Sequence, residues 1–318
     1  MTLCSIRRAP ADQVKSRTEA ALPHGSHPFP ERVAVTGADG FVGQALMLRL
    51  LEVPTPVVGL VRDASSMAVR VVSGPLDSLA AQSALGRSEC VVHLAGGLRP
   101  RPGDSLEAAN VETARALAHA VKRTGVRRII YLSCVGATPG SHNRYRAAKG
   151  IAEWELRNTG CDLIVLRCTH IVGPPKSPGA FASSLLQRRG HPVWVPGNGS
   201  QLIAPVAIED VVTAILRAAA WGWEGVYELA GPDLFDFDEF VELLNGPQVQ
   251  IRHLAAPFAR LLAPVMPGPS SALVDLLLRD CVGDSTPAML AFGLHLTSLR
   301  RTWSASTTRE NATLAWTS

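Results

Sequence analysis

Residues 33–43 read VAVTGADGFVG, and they decide the fold predicted for this chain. An apolar run, 33–36, leads into three glycines spaced three apart, and an apolar pattern at near-helical spacing follows. A buried strand, a glycine turn and a helix in this order are typical of a dinucleotide-binding βα unit, in which the diphosphate lies at the helix N-terminus. The residues predicted to surround the diphosphate are Gly37, Asp39, Gly40, Phe41, Val42 and Gly43.

The three glycines have different predicted tasks. Gly37 makes the tight turn after the strand, and Gly40 lets the backbone approach a pyrophosphate. Gly43 lets the following helix pack closely on the sheet. The spacing alone is a weak signal, because three of 27 glycines can fall into register by chance. The strand before it and the helix after it make the dinucleotide interpretation the favoured one.

The composition predicts a folded globular protein. The 318 residues are 47% hydrophobic and 18% charged, with a net charge of +4. No apolar run approaches the ~20 residues that a membrane-spanning helix needs. The arginines are scattered and do not alternate with aromatic residues, which argues against a nucleic-acid partner and favours a small-molecule substrate.

The N-terminal residues and the cysteines predict the cellular compartment of the protein. Residues 1–30 contain several basic residues but no apolar stretch, so we expect a disordered extension and no secretory signal. The six cysteines include no C-x-x-C pair and no metal-ligand spacing, which predicts a reducing cytoplasm and no metal site. A monomer or a homodimer is expected.

Alternating short and long apolar segments predict the architecture. The predicted strands are 57–61, 69–72, 90–94, 128–133, 163–167, 225–229 and 248–253, and the predicted helices are 105–124, 143–158, 208–221, 237–244 and 270–281. Such alternation predicts an α/β fold, a doubly wound parallel-sheet Rossmann domain over residues 31–175. After Gly173-Pro174-Pro175 the rhythm changes, and residues 176–318 are predicted to form a smaller mixed lobe, with residues 200–230 also adding to the sheet.

Tyr145 and Lys149 are the strongest candidates for chemistry. They lie four residues apart in a predicted helix, so both side chains project from one face. The chain has only three tyrosines, which makes a chance pairing with a lysine at this spacing improbable. A free phenol titrates near pH ~10, and a nearby ammonium lowers that value, which would let Tyr145 act as an acid or base near neutral pH.

Together these motifs resemble an extended or atypical short-chain dehydrogenase/reductase. The resemblance is closest to the branch that includes the NAD(P)H-binding accessory subunit of respiratory complex I and its bacterial relatives, and it covers about residues 31–245. It is carried by the glycine loop, His93-Leu94-Ala95-Gly96, Asn110-Val111-Glu112, residues 129–133, Tyr145-x-x-x-Lys149, Leu166-Arg167 and Val172-Gly173-Pro174.

The resemblance implies roles for the residues around Tyr145. Tyr145 would be the catalytic acid/base, and Lys149 would lower its pKa and hold the nicotinamide ribose. A serine at the end of the fifth strand normally polarises the carbonyl, but this slot falls on Cys134, with Ser133 one residue earlier. Neighbouring strand residues face opposite sides, so Ser133 does not replace it in a regular strand. A thiol is a weak hydrogen-bond donor, which leaves catalysis open.

The residues that follow the second strand predict which nicotinamide cofactor is preferred. Where NAD-preferring relatives have an acidic residue, this chain has Arg62, which suits a 2′-phosphate, so NADP(H) is favoured; Asp63 follows directly and keeps NAD(H) as an alternative. Asp77, after Leu76, matches a position that contacts adenine, and it is also a candidate helix N-cap. Further cofactor contacts are expected at Ala95 and Gly96.

Three functions compete. The leading hypothesis is an NAD(P)(H)-dependent oxidoreductase that transfers a hydride to or from a small carbonyl or hydroxyl substrate. The second is a nucleotide-sugar epimerase or dehydratase, which Arg62 disfavours. The third is a non-catalytic NAD(P)H-binding sensor or accessory subunit, which Cys134 favours.

Overall fold

The computed structural model describes residues 29–63, 70–98, 103–188, 190–221, 223–263 and 271–303. The extension expected over 1–30 therefore lies outside the described residues, except for 29 and 30. The strands are β1 (Val33–Thr36), β2 (Val57–Val61), β3 (Val71–Ser73), β4 (Cys90–His93), β5 (Arg128–Cys134), β6 (Asp162–Cys168), β7 (Ile171–Val172), β8 (Val193–Pro196), β9 (Leu202–Ile203), β10 (Val206–Ala207), β11 (Gly225–Leu229), β12 (Phe235–Asp236) and β13 (Ile251–Leu254). The helices are α1 (Phe41–Leu50), α2 (Leu79–Gly86), α3 (Thr113–Val121), α4 (Arg144–Arg157), α5 (Gly179–Ser183), α6 (Ile208–Trp221), α7 (Phe237–Asn245), α8 (Ala256–Leu262), α9 (Ser271–Leu277) and α10 (Thr286–Phe292), and a π-helical turn, Ala108–Glu112, precedes α3.

A seven-stranded parallel sheet forms the centre of the protein. Its strand order is β3-β2-β1-β4-β5-β6-β11. The chain moves outward from β1 to β3 on one side and from β4 to β11 on the other, so the order reverses between β1 and β4. In open α/β sheets ligands bind at such a switch point, beyond the carboxyl ends of the strands.

Both faces of the sheet are covered, which explains why its strands read as near-continuous apolar runs. All four residues of β1 and of β4 are buried. One buried cluster joins the sheet to α1, α6 and α10, and another joins it to α3 and α4. The predicted doubly wound α/β fold is confirmed.

The chain beyond residue 175 contributes to two parts of the structure. Strand β11 pairs with β6, as expected for residues 200–230, and α6 packs into the same core as α1. A separate apolar cluster, which includes Phe235, Phe237 and Phe240, forms the centre of the smaller lobe. The boundary near residue 175 stays a prediction.

Two predicted features were wrong in detail. Ser78, not Asp77, caps α2, because its Oγ accepts a hydrogen bond from the N–H of Ala81 at 3.3 Å. The helix predicted over 270–281 ends at Leu277, and Cys281 instead donates its N–H to the carbonyl of Leu202 at 2.8 Å. The helix predicted over 143–158 agrees closely with α4, which begins at Arg144 and has Asn143 as its N-cap. Within the described residues no helix combines the length and the apolarity needed to cross a bilayer.

Candidate active site

The glycine loop joins β1 to α1 at the switch point. Gly37 has a φ of +66°, and a Cβ placed on it would lie 2.7 Å from the backbone nitrogen of Ala95. A Cβ on Gly43 would lie 2.2 Å from the carbonyl oxygen of Gly37. Both positions therefore require glycine, one for backbone conformation and close approach and the other for helix packing.

The N-terminus of α1 offers an anion site. Its N-cap is Gly40, which is extended and supplies no side-chain acceptor to the first turn. The N–H groups of Phe41 and Val42 thus have no side-chain cap, and the helix dipole favours a negative charge there. A dinucleotide diphosphate fits this loop, because it supplies acceptors to those N–H groups without needing room for a side chain at Gly37 or Gly43.

The loop after β4 forms the other wall of the switch point. Ala95 donates its N–H to Thr36 Oγ1 at 3.3 Å. Asn110, fully buried in the π-helical turn, holds Gly97 from both sides: its Oδ1 accepts from the Gly97 N–H and its Nδ2 donates to the Gly97 carbonyl, each at 3.0 Å. Asn110 is thus a positioning residue for the predicted cofactor contacts Ala95 and Gly96.

The end of β2 places Arg62 beside an acidic partner. Its guanidinium donates to Asp104, and both side chains are partly exposed. Asp77 is exposed, whereas Leu76 is half-buried against the core beside α2. Arg62 lies at the end of the second strand, as predicted. Its charge is already matched by the carboxylate of Asp104, a partner that the sequence did not predict.

Tyr145 and Lys149 lie on one face of α4, as their spacing predicts. Lys149 is 4% exposed, and its Nζ donates to the carbonyl of Leu132 at 2.9 Å. The same Nζ lies 4.8 Å from the ring centroid of Tyr131 and 5.9 Å from that of Tyr145. The ammonium is therefore held against the end of β5 and borders both rings.

The pKa relation expected between these two residues is not what the structure shows. Burial raises the pKa of Tyr145 well above its usual value, and nearby thiols add to the rise. Burial also lowers the pKa of Lys149 to about 8, opposed by neighbouring acidic groups. Burial of the phenol dominates, and the ammonium is engaged by the carbonyl of Leu132, so the lowering expected from Lys149 is not seen.

Ser133 is hydrogen-bonded to Glu153 and not to Tyr145. Its Oγ donates to Glu153 Oε1 at 2.6 Å, and Arg167 donates to both oxygens of the same carboxylate, at 2.9 and 2.6 Å. Glu153 is buried, so this pair of partners offsets the cost of burying its charge. These three residues connect α4 to β5 and β6, which helps to fix the position of Tyr145 and Lys149 relative to the sheet. The hydroxyl of Ser133 is thus engaged in a structural hydrogen bond.

Cys134 is the last residue of β5 and lies close to Tyr145. Cys134 is near enough to Tyr145 to raise its pKa, and Lys149 is near enough to Cys134 to lower the pKa of the thiol. Burial nevertheless dominates and raises the pKa of Cys134 to about 12, so the side chain is a neutral thiol. The structure therefore puts Cys134, not Ser133, beside the candidate acid/base.

His93 and Asp210 are held by structural hydrogen bonds. His93 is fully buried, with Nδ1 2.7 Å from Thr36 Oγ1, and burial lowers its pKa to about 3. Asp210 accepts from the N–H and hydroxyl of Thr297 at 2.7 and 2.8 Å. In the part of the chain that the structure describes, no three His, Cys, Asp or Glu residues are grouped to hold a metal ion.

Comparison with known families agrees with this arrangement. A model of the NAD dependent epimerase/dehydratase family matches residues 33–230, which include the glycine loop, the switch point and α4. The chain belongs to this family. It is therefore an extended short-chain dehydrogenase/reductase by sequence as well as by fold.

Individual relatives differ in what they do. The chain is 26% identical over 258 residues to NADH dehydrogenase [ubiquinone] 1 alpha subcomplex subunit 9, mitochondrial, of Arabidopsis thaliana, covering 76% of this chain and 63% of that protein. It is 27% identical over 286 residues to the ceramide reductase of Caulobacter vibrioides, covering 86% of each. MoeE5, solved with UDP-glucose and NAD, shares the fold with a TM-score of 0.69 and 24% identity, over 89% of this chain and 99% of that one.

Proposed function

We propose that this protein is an NAD(P)H-dependent oxidoreductase that reduces a small carbonyl substrate. The observation that carries the proposal is the pairing of Tyr145 with Lys149 at the end of β5, in a sheet whose switch point holds an uncapped helix N-terminus. The family supports the cofactor class, and the ceramide reductase and other relatives supply a precedent for reduction.

The chain's own residues suit the proton side of such a reaction. When bound, the nicotinamide supplies the hydride that the carbonyl carbon gains. Tyr145 donates its phenolic proton to the carbonyl oxygen, which completes the alcohol, and water returns a proton to Tyr145. The raised pKa of Tyr145 keeps the phenol protonated until substrate arrives, so Tyr145 is available as the proton donor of the reduction. Lys149 is held to orient the ribose.

A carbonyl panel tests this proposal. The protein is incubated with NADPH or NADH and with aldehydes, ketones and oxo acids of increasing size, while loss of the reduced cofactor is followed by absorbance. Consumption of the cofactor that depends on one substrate class supports the proposal. If the cofactor binds and no carbonyl is reduced by the wild-type protein or by a Cys134→Ser variant, the oxidoreductase proposal is wrong.

We further propose a modest preference for NADP(H). Arg62 lies where a 2′-phosphate would be recognised, but Asp104 already shares its charge. The Asp104→Asn variant is expected to bind NADPH about 1.5 to five times more tightly with little change for NADH, because exposed ion pairs are worth ~0.2–1 kcal/mol. Fluorescence titration with both cofactors measures the ratio.

The matched control for Asp104→Asn is Asp275→Asn. Asp275 accepts from Arg260 at 2.8 Å, so this change removes a similar exposed pair in the smaller lobe. It should leave both cofactor affinities unchanged. Equal gains for NADPH and NADH in Asp104→Asn would mean that Arg62 does not recognise the 2′-phosphate.

Cys134 favours a second candidate function, a cofactor-binding protein without catalysis. A relative with 26% identity is a respiratory complex subunit by name, and the chain spans 63% of its length. The thiol beside Tyr145 is a poor donor to a carbonyl oxygen, and loss of a good donor costs about 10²–10³ in rate. In this alternative Tyr145 and Lys149 serve only to hold the cofactor.

Cys134→Ser separates the two functions. If the protein is an oxidoreductase, the serine hydroxyl should raise kcat by up to about 10², since it restores a strong donor next to Tyr145. Cys161→Ser is the control, because that thiol precedes β6 and donates to the carbonyl of Val126, at the end of the strands opposite to Cys134. If Cys161→Ser also raises kcat, the gain comes from removing a thiol in general. If Cys134→Ser lowers kcat, a hydroxyl at this position does not help to polarise the carbonyl.

A further inference from the structure

Arg146 lies next to Tyr145 in α4 but faces the loop that follows β5. A Cβ placed on Gly136 would come within 3.2 Å of both Cζ and Nε of Arg146, so the guanidinium lies against this loop. The helix backbone here is fixed, because Asn143 Oδ1 accepts the Arg146 N–H at 3.1 Å and Thr138 donates its N–H to the Arg146 carbonyl at 3.3 Å. The side chain is therefore directed along the edge of the candidate active site.

The neighbours of this guanidinium connect it to Tyr145. Cys134 and Cys281 lie near both residues: the charge of Arg146 lowers the pKa of each thiol, and both thiols raise the pKa of Tyr145. Burial raises the pKa of Cys281 to about 11, while the charge of Arg146, a hydrogen bond from it and one from the His170 backbone oppose the rise. Arg146, Cys281 and His170 thus form one continuous group beside Tyr145.

Two polar atoms of this group have no partner. Arg146 Nε and His170 Nδ1 are buried, and neither makes a hydrogen bond in the structure. His170 stacks on Phe181 with ring centroids 4.1 Å apart, which fixes its orientation. Burial, with a smaller contribution from Arg146, lowers the pKa of His170 to about 4, so the imidazole is neutral at pH 7 and able to donate one hydrogen bond.

No acid neutralises Arg146 among the residues that the structure describes. Every ion pair described there joins other residues. The two carboxylates near the neighbouring thiols are engaged elsewhere: Glu153 by Ser133 and Arg167, and Glu228 by the N–H of Asp284 at 3.1 Å. A partly buried cation without a carboxylate is costly unless an anion from outside completes it.

We propose that Arg146 and His170 form a subsite for an anionic group of the substrate, a carboxylate or a phosphate, carried close to the carbonyl that Tyr145 protonates. The guanidinium supplies charge-assisted hydrogen bonds, and the imidazole supplies a neutral donor. This inference rests on the proposed oxidoreductase function and narrows its substrates to oxo acids or to phosphorylated carbonyl compounds. Arg146 would determine specificity through KM, since its contact with the anionic group is the same before and during reaction.

Anion titration of the cofactor-saturated protein tests the subsite without turnover. Malonate and inorganic phosphate are added to protein saturated with NADP⁺, so that the N-terminus of α1 is occupied, and binding is followed by calorimetry. At least one of the two should bind with 1:1 stoichiometry, and which one binds distinguishes a carboxylate from a phosphate. Arg146→Gln should weaken that binding about tenfold to a hundredfold, and Arg146→Lys should restore part of it.

The control is Arg144→Gln, because Arg144 precedes Tyr145 and pairs with Glu107 on the exposed side of the helix. It should leave anion binding unchanged. Turnover adds a second readout: Arg146→Gln should raise KM for an oxo acid about tenfold or more and leave KM for its neutral amide unchanged.

Several outcomes overturn the inference: binding of neither anion to wild-type protein, equal binding by Arg146→Gln, or an equal rise in KM for acid and amide. Failure of both NADP⁺ and NAD⁺ to bind would contradict the proposed function instead. The anion titration would then be repeated on cofactor-free protein, where a loss specific to Arg146→Gln still supports the subsite.

Discussion

Tyr145→Phe is expected to lower kcat by about 10²–10⁴ while the affinity for NADPH stays within about twofold of wild type. The change removes only the phenolic hydroxyl, so no proton reaches the carbonyl oxygen from this position. Lys149 keeps its hydrogen bond to the Leu132 carbonyl, so the contact that we propose for it with the ribose should be preserved. Steady-state kinetics with the best substrate of the carbonyl panel, and a fluorescence titration with NADPH, measure the two quantities.

Tyr227→Phe is the matched control for this prediction. Its hydroxyl lies 3.5 Å from the carbonyl of Trp223, on the edge strand β11, and should have no effect on turnover. Unaltered turnover in Tyr145→Phe would remove Tyr145 from the mechanism. Loss of NADPH binding in that variant would show that the hydroxyl holds the cofactor and would favour the non-catalytic function.

Gly43→Ala should abolish cofactor binding. The added methyl group would lie 2.2 Å from the Gly37 oxygen and 2.7 Å from the Ala38 oxygen, and both of these are backbone atoms that a side-chain rotation cannot move. Helix α1 must therefore shift away from the loop, which separates its N-terminal N–H groups from the turn that directs them at a diphosphate. Overpacking of this kind costs at least ~1–3 kcal/mol of unfolding free energy.

Gly86→Ala provides the comparison, since a Cβ on Gly86, the last residue of α2, meets no atom within 4 Å. It should keep or slightly raise the free energy of unfolding and leave NADPH binding unchanged. Denaturant unfolding and cofactor titration distinguish the variants. If Gly43→Ala binds NADPH as tightly as wild type, the close packing of α1 on the loop does not form the cofactor site.

Local patterns made much of the fold predictable. The strands over 57–61 and 225–229 and the helix over 208–221 have the bounds that the sequence pattern predicts. Strand 57–61 is an apolar run buried in the sheet, and helix 208–221 buries apolar residues at helical spacing. The cap of α2 was less predictable. Asp77 and Ser78 are both good capping residues, and only the turn conformation before the helix chooses Ser78.

The side-chain partners in the candidate site were not predictable from sequence, because they come from distant parts of the chain. Arg62 meets Asp104 over 42 residues, and Ser133 meets Glu153 over 20. The i,i+8 spacing of Tyr145 and Glu153 was the available signal for the latter, since it places Glu153 on the face of α4 that carries Lys149. Arg144 and Arg146 look alike in the sequence. Their different positions around the axis of α4 direct Arg144 to the surface and Arg146 to the loop after β5.

The switch point therefore brings together a loop that accepts a diphosphate and a tyrosine that keeps its proton. Titration of NADPH and NADH into wild-type, Gly43→Ala and Tyr145→Phe protein, followed by cofactor fluorescence, tests this association most directly. We expect saturable 1:1 binding to wild type and to Tyr145→Phe, and none to a Gly43→Ala protein that is still folded. Absence of saturable binding to wild type by either cofactor would contradict the account.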